Sequence, residues 1–295
     1  MIYSTSVALD ERFNLPLTGP ANYRVRDNII YTQSIEINAV RHCNLSCRSC
    51  SHASPISSKL NMDPNVVGRD LKTLSRFLRC EAVRILGGEP LLHPSLEELL
   101  KAVKYSNIST NICLATNGTL LQLINDKLIP YIDEVQISLY PLKKQQMDII
   151  KKEAIRLSER GIRIELKEIS YFRESLAQNP TRNSSIIKMV YETCMVAHLW
   201  RSLTVNNGYL YRCPQSLVYA EYNSNYDDSL SIGDIKCIND LLKFLENNNA
   251  CKACSQCLGS IGKQFPHEQV KNDCWQIRLP VTPEEGLDFD YAKSL

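Results

Sequence analysis

No stretch of this chain approaches the roughly 18–20 uninterrupted apolar residues of a membrane helix. The first residues, MIYSTSVALDERFNLPL, have neither the basic start nor the apolar run of a signal peptide, so the protein is expected in the cytoplasm. An excess of charge of one sign is missing too. Lys and Arg number 34 against 32 Asp and Glu, and a net charge of +2 gives no electrostatic case for nucleic acid or membrane as a partner. There is no internal repeat and no low-complexity tract. A hydrophobic fraction of 44% and a charged fraction of 22% are those of an ordinary globular protein.

What is abundant is cysteine. Twelve thiols in a reducing compartment are poorly explained as a disulfide framework, which makes metal binding the leading account. Cys43, Cys47 and Cys50 form one group, and Cys251, Cys254 and Cys257 form another. Cys194 and Cys213 stand upstream of the second. Cys80, Cys113, Cys237 and Cys274 are dispersed and read as small buried residues.

From residue 34 to about 168, short apolar strands alternate with amphipathic helices. Strands are expected at 34–40, 81–86, 111–116, 134–139 and 162–169. Helices are expected at 63–79, with Asp63 as N-cap and Pro64 at its first position, and near 119–129 and 142–160. Ser95 and Glu98 have capping-box spacing at the start of another helix. This alternation implies right-handed crossovers and a parallel sheet, with the active site at the C-terminal strand ends. The motifs fall there. The cysteine loop follows strand one, GGEP (87–90) strand two and Asn117-Gly118 strand three, while Ser138 lies near the end of strand four. Residues 172–187 are polar and read as a linker. SLTVNNGYLYRCP (202–214) reads as a hairpin turning at Asn207-Gly208.

Three cysteines spaced C-x3-C-x2-C leave one iron of a four-iron cubane without a protein thiolate, open to a small molecule. With GGEP, ATNG and QISL following in order, the chain resembles the radical SAM (S-adenosylmethionine) superfamily over about residues 34–168. The resemblance implies a [4Fe-4S] cluster on Cys43, Cys47 and Cys50. It also implies SAM held by Gly87, Gly88, Glu89, Pro90, Asn117 and Ser138, with Glu89 or its neighbouring carbonyls meeting the SAM ammonium. SAM chelating the open iron would be cleaved to a 5′-deoxyadenosyl radical that takes hydrogen from carbon. One position departs from the pattern: the family usually has an aromatic residue before the third cysteine, and here it is Ser49. His42 and His52 flank the loop as structural or hydrogen-bonding residues.

The second cysteine group resembles the auxiliary-cluster domains of the SPASM/twitch subgroup, and the shorter twitch form fits better because the longer C-x5-C-x3-C run is absent. The resemblance implies a second [4Fe-4S] cluster, with Cys194, Cys213, Cys254 and Cys257 as ligands. Cys251 is then surplus and a candidate hydrogen donor to a substrate radical. Zinc on Cys251, Cys254 and Cys257 is the alternative. The expected fold is α/β: a partial TIM-like (β/α) barrel of five to six parallel strands, followed by a small twitch domain containing the hairpin. The domains would run 1–33 (extension), 34–190 (radical SAM core) and 191–295 (auxiliary iron–sulfur domain and tail).

The expected activity is hydrogen abstraction from a hydroxylated small molecule such as an aminocyclitol, amino sugar or oligosaccharide, giving dehydrogenation or epimerisation. A flavodoxin- or ferredoxin-type protein would supply electrons. A maturase acting on a precursor peptide is the alternative, weakened by the roughly 33 residues before strand one; a non-catalytic redox protein is a more distant one. Lys167, Glu168, Tyr171, Arg173, Arg212 and His267 are candidate substrate contacts. On strand five, alternation allows only one of Lys167 and Glu168 to point inward. Tyr209, Tyr211 and Tyr219 equally suit a half-buried β surface.

Overall fold

A computed structural model describes residues 2–5, 23–223 and 228–295. Most of the extension expected at 1–33 lies outside the described residues. Its described parts are two strands, β1 (Ile2–Thr5) and β2 (Arg24–Arg26).

The centre is a sheet whose parallel part runs β1-β7-β6-β5-β4-β3-β9. Five of these strands follow one another in space as in sequence: β3 (Ile29–Val40), β4 (Leu78–Gly87), β5 (Ile112–Thr116), β6 (Glu134–Leu139) and β7 (Arg163–Glu168). β1 adds to β7 in parallel, and β9 (Ser202–Asn206) adds to β3 in parallel. The expected partial barrel is therefore present and is larger by these two borders. β9 turns through Asn207 (φ 46°) and Gly208 (φ 83°) into β10 (Tyr209–Tyr211), which pairs antiparallel with it and with β11 (Ser229–Ser231). The hairpin is thus where it was expected, but its first strand completes the barrel, so a boundary at 190 cuts through one continuous sheet.

Alternation sorts each strand's side chains onto two faces. Ile35, Ile37, Ala39, Val83, Ile85, Leu114, Val135, Ile137, Ile164, Leu203 and Val205 belong to the larger apolar core. That core is closed by Val67, Leu71 and Leu74 of α1 (Pro64–Leu74), Leu99 and Val103 of α2 (Leu96–Tyr105), and Ile150, Ala154 and Leu157 of α3 (Lys144–Glu159). Fully burying each such side chain contributes about 1.5–3 kcal/mol. α1 and α2 pack closely, because a Cβ on Gly68 would lie 3.3 Å from that of Ala102. The opposite, concave face is polar and carries Glu36, Asn38, Arg84, Gln136, Glu165, Lys167 and Thr204.

A second apolar cluster joins α4 (Ser184–Glu192) and α5 (Pro214–Tyr222) to the C-terminal segment through Ile186, Val190, Val218, Tyr219, Leu258, Ile261 and Trp275. Cys50 packs against this cluster and Cys251 and Cys257 belong to it, so one core underlies both cysteine groups. Among the described residues no helix is long and apolar enough to cross a membrane.

Four local expectations are corrected, the first being the helix expected at 63–79, which ends at Leu74, with Leu78 already in β4. Residues 119–129 form short 3-10 turns at Leu121–Leu123 and Ile129–Tyr131 rather than a helix. Ser95 is the N-cap of α2, yet its side chain makes no capping bond, and its backbone N–H donates instead to His93 Nδ1 at 3.0 Å. The supposed linker contains β8 (Tyr171–Arg173), paired antiparallel with β12 (Gln264–Pro266), and its end starts α4. Asp63 does cap α1, accepting from Asn65 N–H at 2.8 Å.

Candidate active site

The cysteine loop leaves β3 at the C-terminal edge of the sheet, and GGEP leaves β4 beside it. Gly88 N–H donates to Val40 O and Glu89 N–H to His42 O, each at 3.0 Å. A Cβ on Gly88 would lie 1.9 Å from His42 O, and one on Gly87 (φ +125°) would lie 2.3 Å from Val40 O. The glycines therefore let the motif lie flat against the root of the cysteine loop. Gly88→Ala is expected to cost about 3 kcal/mol or more, since backbone must move on both strands. A thermal melt of the apo-protein reads this, and an unchanged midpoint would contradict it.

Glu89 is fully buried. Its carboxylate accepts from Leu91 N–H (3.1 Å), Asn117 N–H (2.9 Å) and Thr116 Oγ1 (2.8 and 2.9 Å). It thus ties the end of β4 to the end of β5. Burial pushes its pKa up to about 7, against the pull of those hydrogen bonds. The carboxylate is thus engaged by the protein's own donors. Asn117 reaches the cysteine loop, with Nδ2 3.6 Å from Cys43 Sγ and 2.8 Å from Asn44 Oδ1. Ser138 is half-buried and hydrogen-bonds Tyr140.

Cys43, Cys47 and Cys50 are mutual electrostatic neighbours. Burial, with the neighbouring thiols adding to it, pushes Cys43 up to about 11 and Cys47 higher still. That disfavours the thiolate at Cys43 and Cys47. An iron centre supplies the positive charge that makes thiolates favourable, with release of their protons. Ser49, in the left-handed region (φ 51°), accepts from Ser175 N–H at 2.9 Å, and its carbonyl accepts from Ser175 Oγ at 3.0 Å. An aromatic ring here would displace that contact, a physical reason for the small residue.

The C-terminal segment closes over the loop, which the sequence did not announce. Trp275 Nε1 donates to Cys47 O at 3.0 Å, Arg48 N–H to Glu268 O at 2.9 Å, and Val270 N–H to Ser46 O at 2.8 Å. His267 Nε2 lies 3.2 Å from Cys47 Sγ, and its ring stacks on Tyr140 at 4.7 Å between centroids, with Phe172 edge-on. Tyr140 faces all three cysteines and was missed, although it stands two residues beyond Ser138 at the same strand end. Burial holds His42 below the ordinary imidazole range. Burial, aided by Arg41, holds His52 down at about 4, and Arg41 itself pairs with Glu221.

The structure brings Cys194, Cys213, Cys251, Cys254 and Cys257 into one group. Cys213 neighbours Cys194, Cys251 and Cys257; Cys254 neighbours Cys213, Cys251 and Cys257; and Cys251 is a neighbour of all the others. Cys251 Sγ accepts from Arg212 Nη2 at 3.5 Å, and it hydrogen-bonds Cys254. Those bonds, outweighing burial, bring its thiol down to about 7, while burial pushes Cys257 up to about 12. Among the described residues no three His, Cys, Asp or Glu side chains converge as a single-ion site. Cys80 and Cys113 are buried as expected, Cys274 is half-buried and Cys237 is exposed at the N-cap of α6 (Ile238–Leu245).

Of the candidate substrate contacts, Lys167 points to the concave face, 3.7 Å from Glu165, while Glu168 and Tyr171 are exposed. Arg173 is spent on Gly262 O (2.9 Å) and the Tyr291 ring, so these last three do not line the interior. Arg212 also braces the loop before Cys251, through Asn247 O and Asn249 O. Tyr219 donates to Ser175 O at 3.1 Å and neighbours Cys257, while Tyr209 is exposed and Tyr211 buried.

Residues 37–173 match the family described as the Radical SAM superfamily. GTP 3′,8-cyclase of Helicobacter pylori (strain ATCC 700392 / 26695) is 30% identical over 141 residues, which cover 45% of this chain and 43% of that protein. GTP 3′,8-cyclase of Chlorobaculum tepidum is 31% identical over 119 residues, covering 40% and 36%. The chain thus spans less than half the length of these curated relatives. Among solved structures, anSMEcpe with bound AdoMet is 15% identical, covers 75% of this chain and 83% of that one, and has a TM-score of 0.48. BtrN in complex with AdoMet and 2-DOIA is 16% identical, covers 77% and 92%, and has a TM-score of 0.46.

Proposed function

We propose that this chain, with a radical SAM domain as its first part, reductively cleaves SAM and abstracts hydrogen from a small hydroxylated molecule, oxidising or epimerising it. The donor set fits the implied groups. Three thiols at a strand end suit a cluster with one open iron, and five gathered thiols suit a second cluster. When bound, the first cluster and SAM supply a 5′-deoxyadenosyl radical, and the second supplies an electron acceptor. The chain's own residues position these groups. Gly88 and Glu89 brace the loop root, Trp275 and His267 cover the loop, and α5 carries Cys213 at its N-cap and Tyr219 beside Cys257.

The observation that carries the substrate class is charge balance on the concave face. Glu36 neighbours Arg84, Glu165 neighbours Lys167, and Glu134 pairs with Arg163 at 2.9 Å. Arg84 also bonds Gln136, which bonds Glu165. At the mouth, Arg41 pairs with Glu221 and Arg48 with Glu174 and Glu268. A nucleoside triphosphate, the substrate that the cyclases' name indicates, needs unpaired cations. A lining of paired charges and hydroxyls suits hydroxyl and amine groups instead. The test is anaerobic turnover with dithionite and SAM, comparing a panel of aminocyclitols and amino sugars with GTP. A panel member should raise 5′-deoxyadenosine above the substrate-free background and lose two mass units or invert one centre. Stimulation by GTP alone would overturn the reading.

The auxiliary ligands are proposed to include Cys251, contrary to the expectation that it is surplus. Its thiol hydrogen-bonds Cys254, is an electrostatic neighbour of Cys194, Cys213 and Cys257, and has Arg212 beside it, which favours thiolate. Cys251→Ala is expected to remove about four irons, one cluster's worth. Full iron retention by atomic absorption would return Cys251 to the surplus role and to hydrogen donation.

A further inference from the structure

Among the described residues, two polar side chains on the concave face, Asn38 and Thr204, make no side-chain hydrogen bond. Because Ile35, Ile37 and Ala39 point into the outer core, Ser34, Glu36 and Asn38 point to the concave face, and on β9 so do Ser202 and Thr204. Ser34 and Ser202 meet at 3.5 Å, and Glu36 has Arg84 and Ser202. Asn38, 1% exposed, makes no hydrogen bond through either Oδ1 or Nδ2, and Thr204, 0% exposed, makes none through Oγ1. Pairing sets Thr204 beside Glu36, with Asn38 two residues further toward the cysteine loop.

Buried polar groups without partners are costly, and folded proteins retain few of them. Here they stand together on adjacent strands, on the face below the cysteine loop. We propose that Asn38 and Thr204 form the polar subsite that recognises the substrate, holding a hydroxyl and a neighbouring hydroxyl or amine of a small, uncharged or singly charged molecule. This rests on the small-molecule reading above. The amide offers both a donor and an acceptor, and the threonine hydroxyl can act as either, which matches the dual character of a carbinol. Glu36, one register step below, accepts from a second hydroxyl or an ammonium. A site built in this way discriminates strongly against analogues that lack the bonded group, because its own polar atoms would then stay unpaired.

A subsite differs from a structural contact in its effect on the substrate-free enzyme. Replacing a structurally bonded hydroxyl by a methyl destabilises, whereas replacing one kept free for a ligand stabilises. The experiment uses anaerobically reconstituted full-length protein carrying Thr204→Val, with Thr204→Ser as the conservative control and scyllo-inosamine as probe. Thr204→Val should raise the thermal midpoint by about 2 °C or more. It should lower kcat/KM for the probe at least about tenfold, the loss of one good hydrogen bond. Thr204→Ser should restore most of the kcat/KM. A lowered midpoint, as a hydroxyl bonded to an ordered water would give, overturns the subsite, as does an unchanged kcat/KM. A wild type that cleaves SAM but ignores the probe counts against the aminocyclitol reading, and the midpoint shift then decides the subsite by itself.

Discussion

Alanine at Cys43, Cys47 or Cys50 is expected to abolish reductive cleavage of SAM and to remove about four irons, the content of one cubane. Each of these thiols faces the other two, and the loop that carries them is held from several sides independently of any metal. Gly88 and Glu89 bond its root, Ser175 fixes Ser49, and Trp275 donates to the Cys47 carbonyl. An alanine at one position removes a ligand while leaving these backbone contacts in place. The variants should therefore stay folded, with midpoints close to that of wild-type apo-protein, and lose only the cluster. Measured by chromatography of 5′-deoxyadenosine after dithionite reduction, activity should fall to the background of SAM alone. Cleavage persisting in any of the three would remove that cysteine from the site.

The second large effect belongs to the other cysteine group. Cys213→Ala should also lose about four irons, yet substrate-free SAM cleavage should continue at a rate near that of wild type, because the first group keeps all its ligands. Formation of substrate product should disappear. Cys213 borders Cys194, Cys251 and Cys257, and it caps the helix that carries Tyr219 to Cys257 and Glu221 to Arg41. It thus belongs to the second group while its helix reaches the rim of the first. Loss of SAM cleavage in Cys213→Ala would mean that the two sites are not separable. Retention of every iron would mean that the C-terminal cysteines hold no cluster.

Much of the site was legible because it is local in sequence. The cysteine spacing, GGEP, Asn117 and Ser138 each sit at the end of a strand whose apolar alternation is plain, and parallel topology then gathers those ends. What could not be read depends on contacts across long separations. Trp275 and His267 reach Cys47 from more than 200 residues away, and no periodicity marks them. β9 looked like half of an isolated hairpin, since nothing in SLTVN states that β3 is its partner. The helix expected at 119–129 gives way to short turns, where Asn125 Oδ1 accepts from Lys127 N–H at 3.0 Å and so competes with helical bonding. The polar concave face was hidden by the same alternation that exposed the core. Glu36 and Asn38 look like solvent-facing residues until the sheet curves over them.

The account is tested most directly by iron and sulfide content of anaerobically reconstituted protein, assayed together with reductive cleavage of SAM. It predicts about eight irons and eight sulfides per chain, two cubanes' worth, and formation of 5′-deoxyadenosine. Iron-loaded protein that forms no 5′-deoxyadenosine would contradict it.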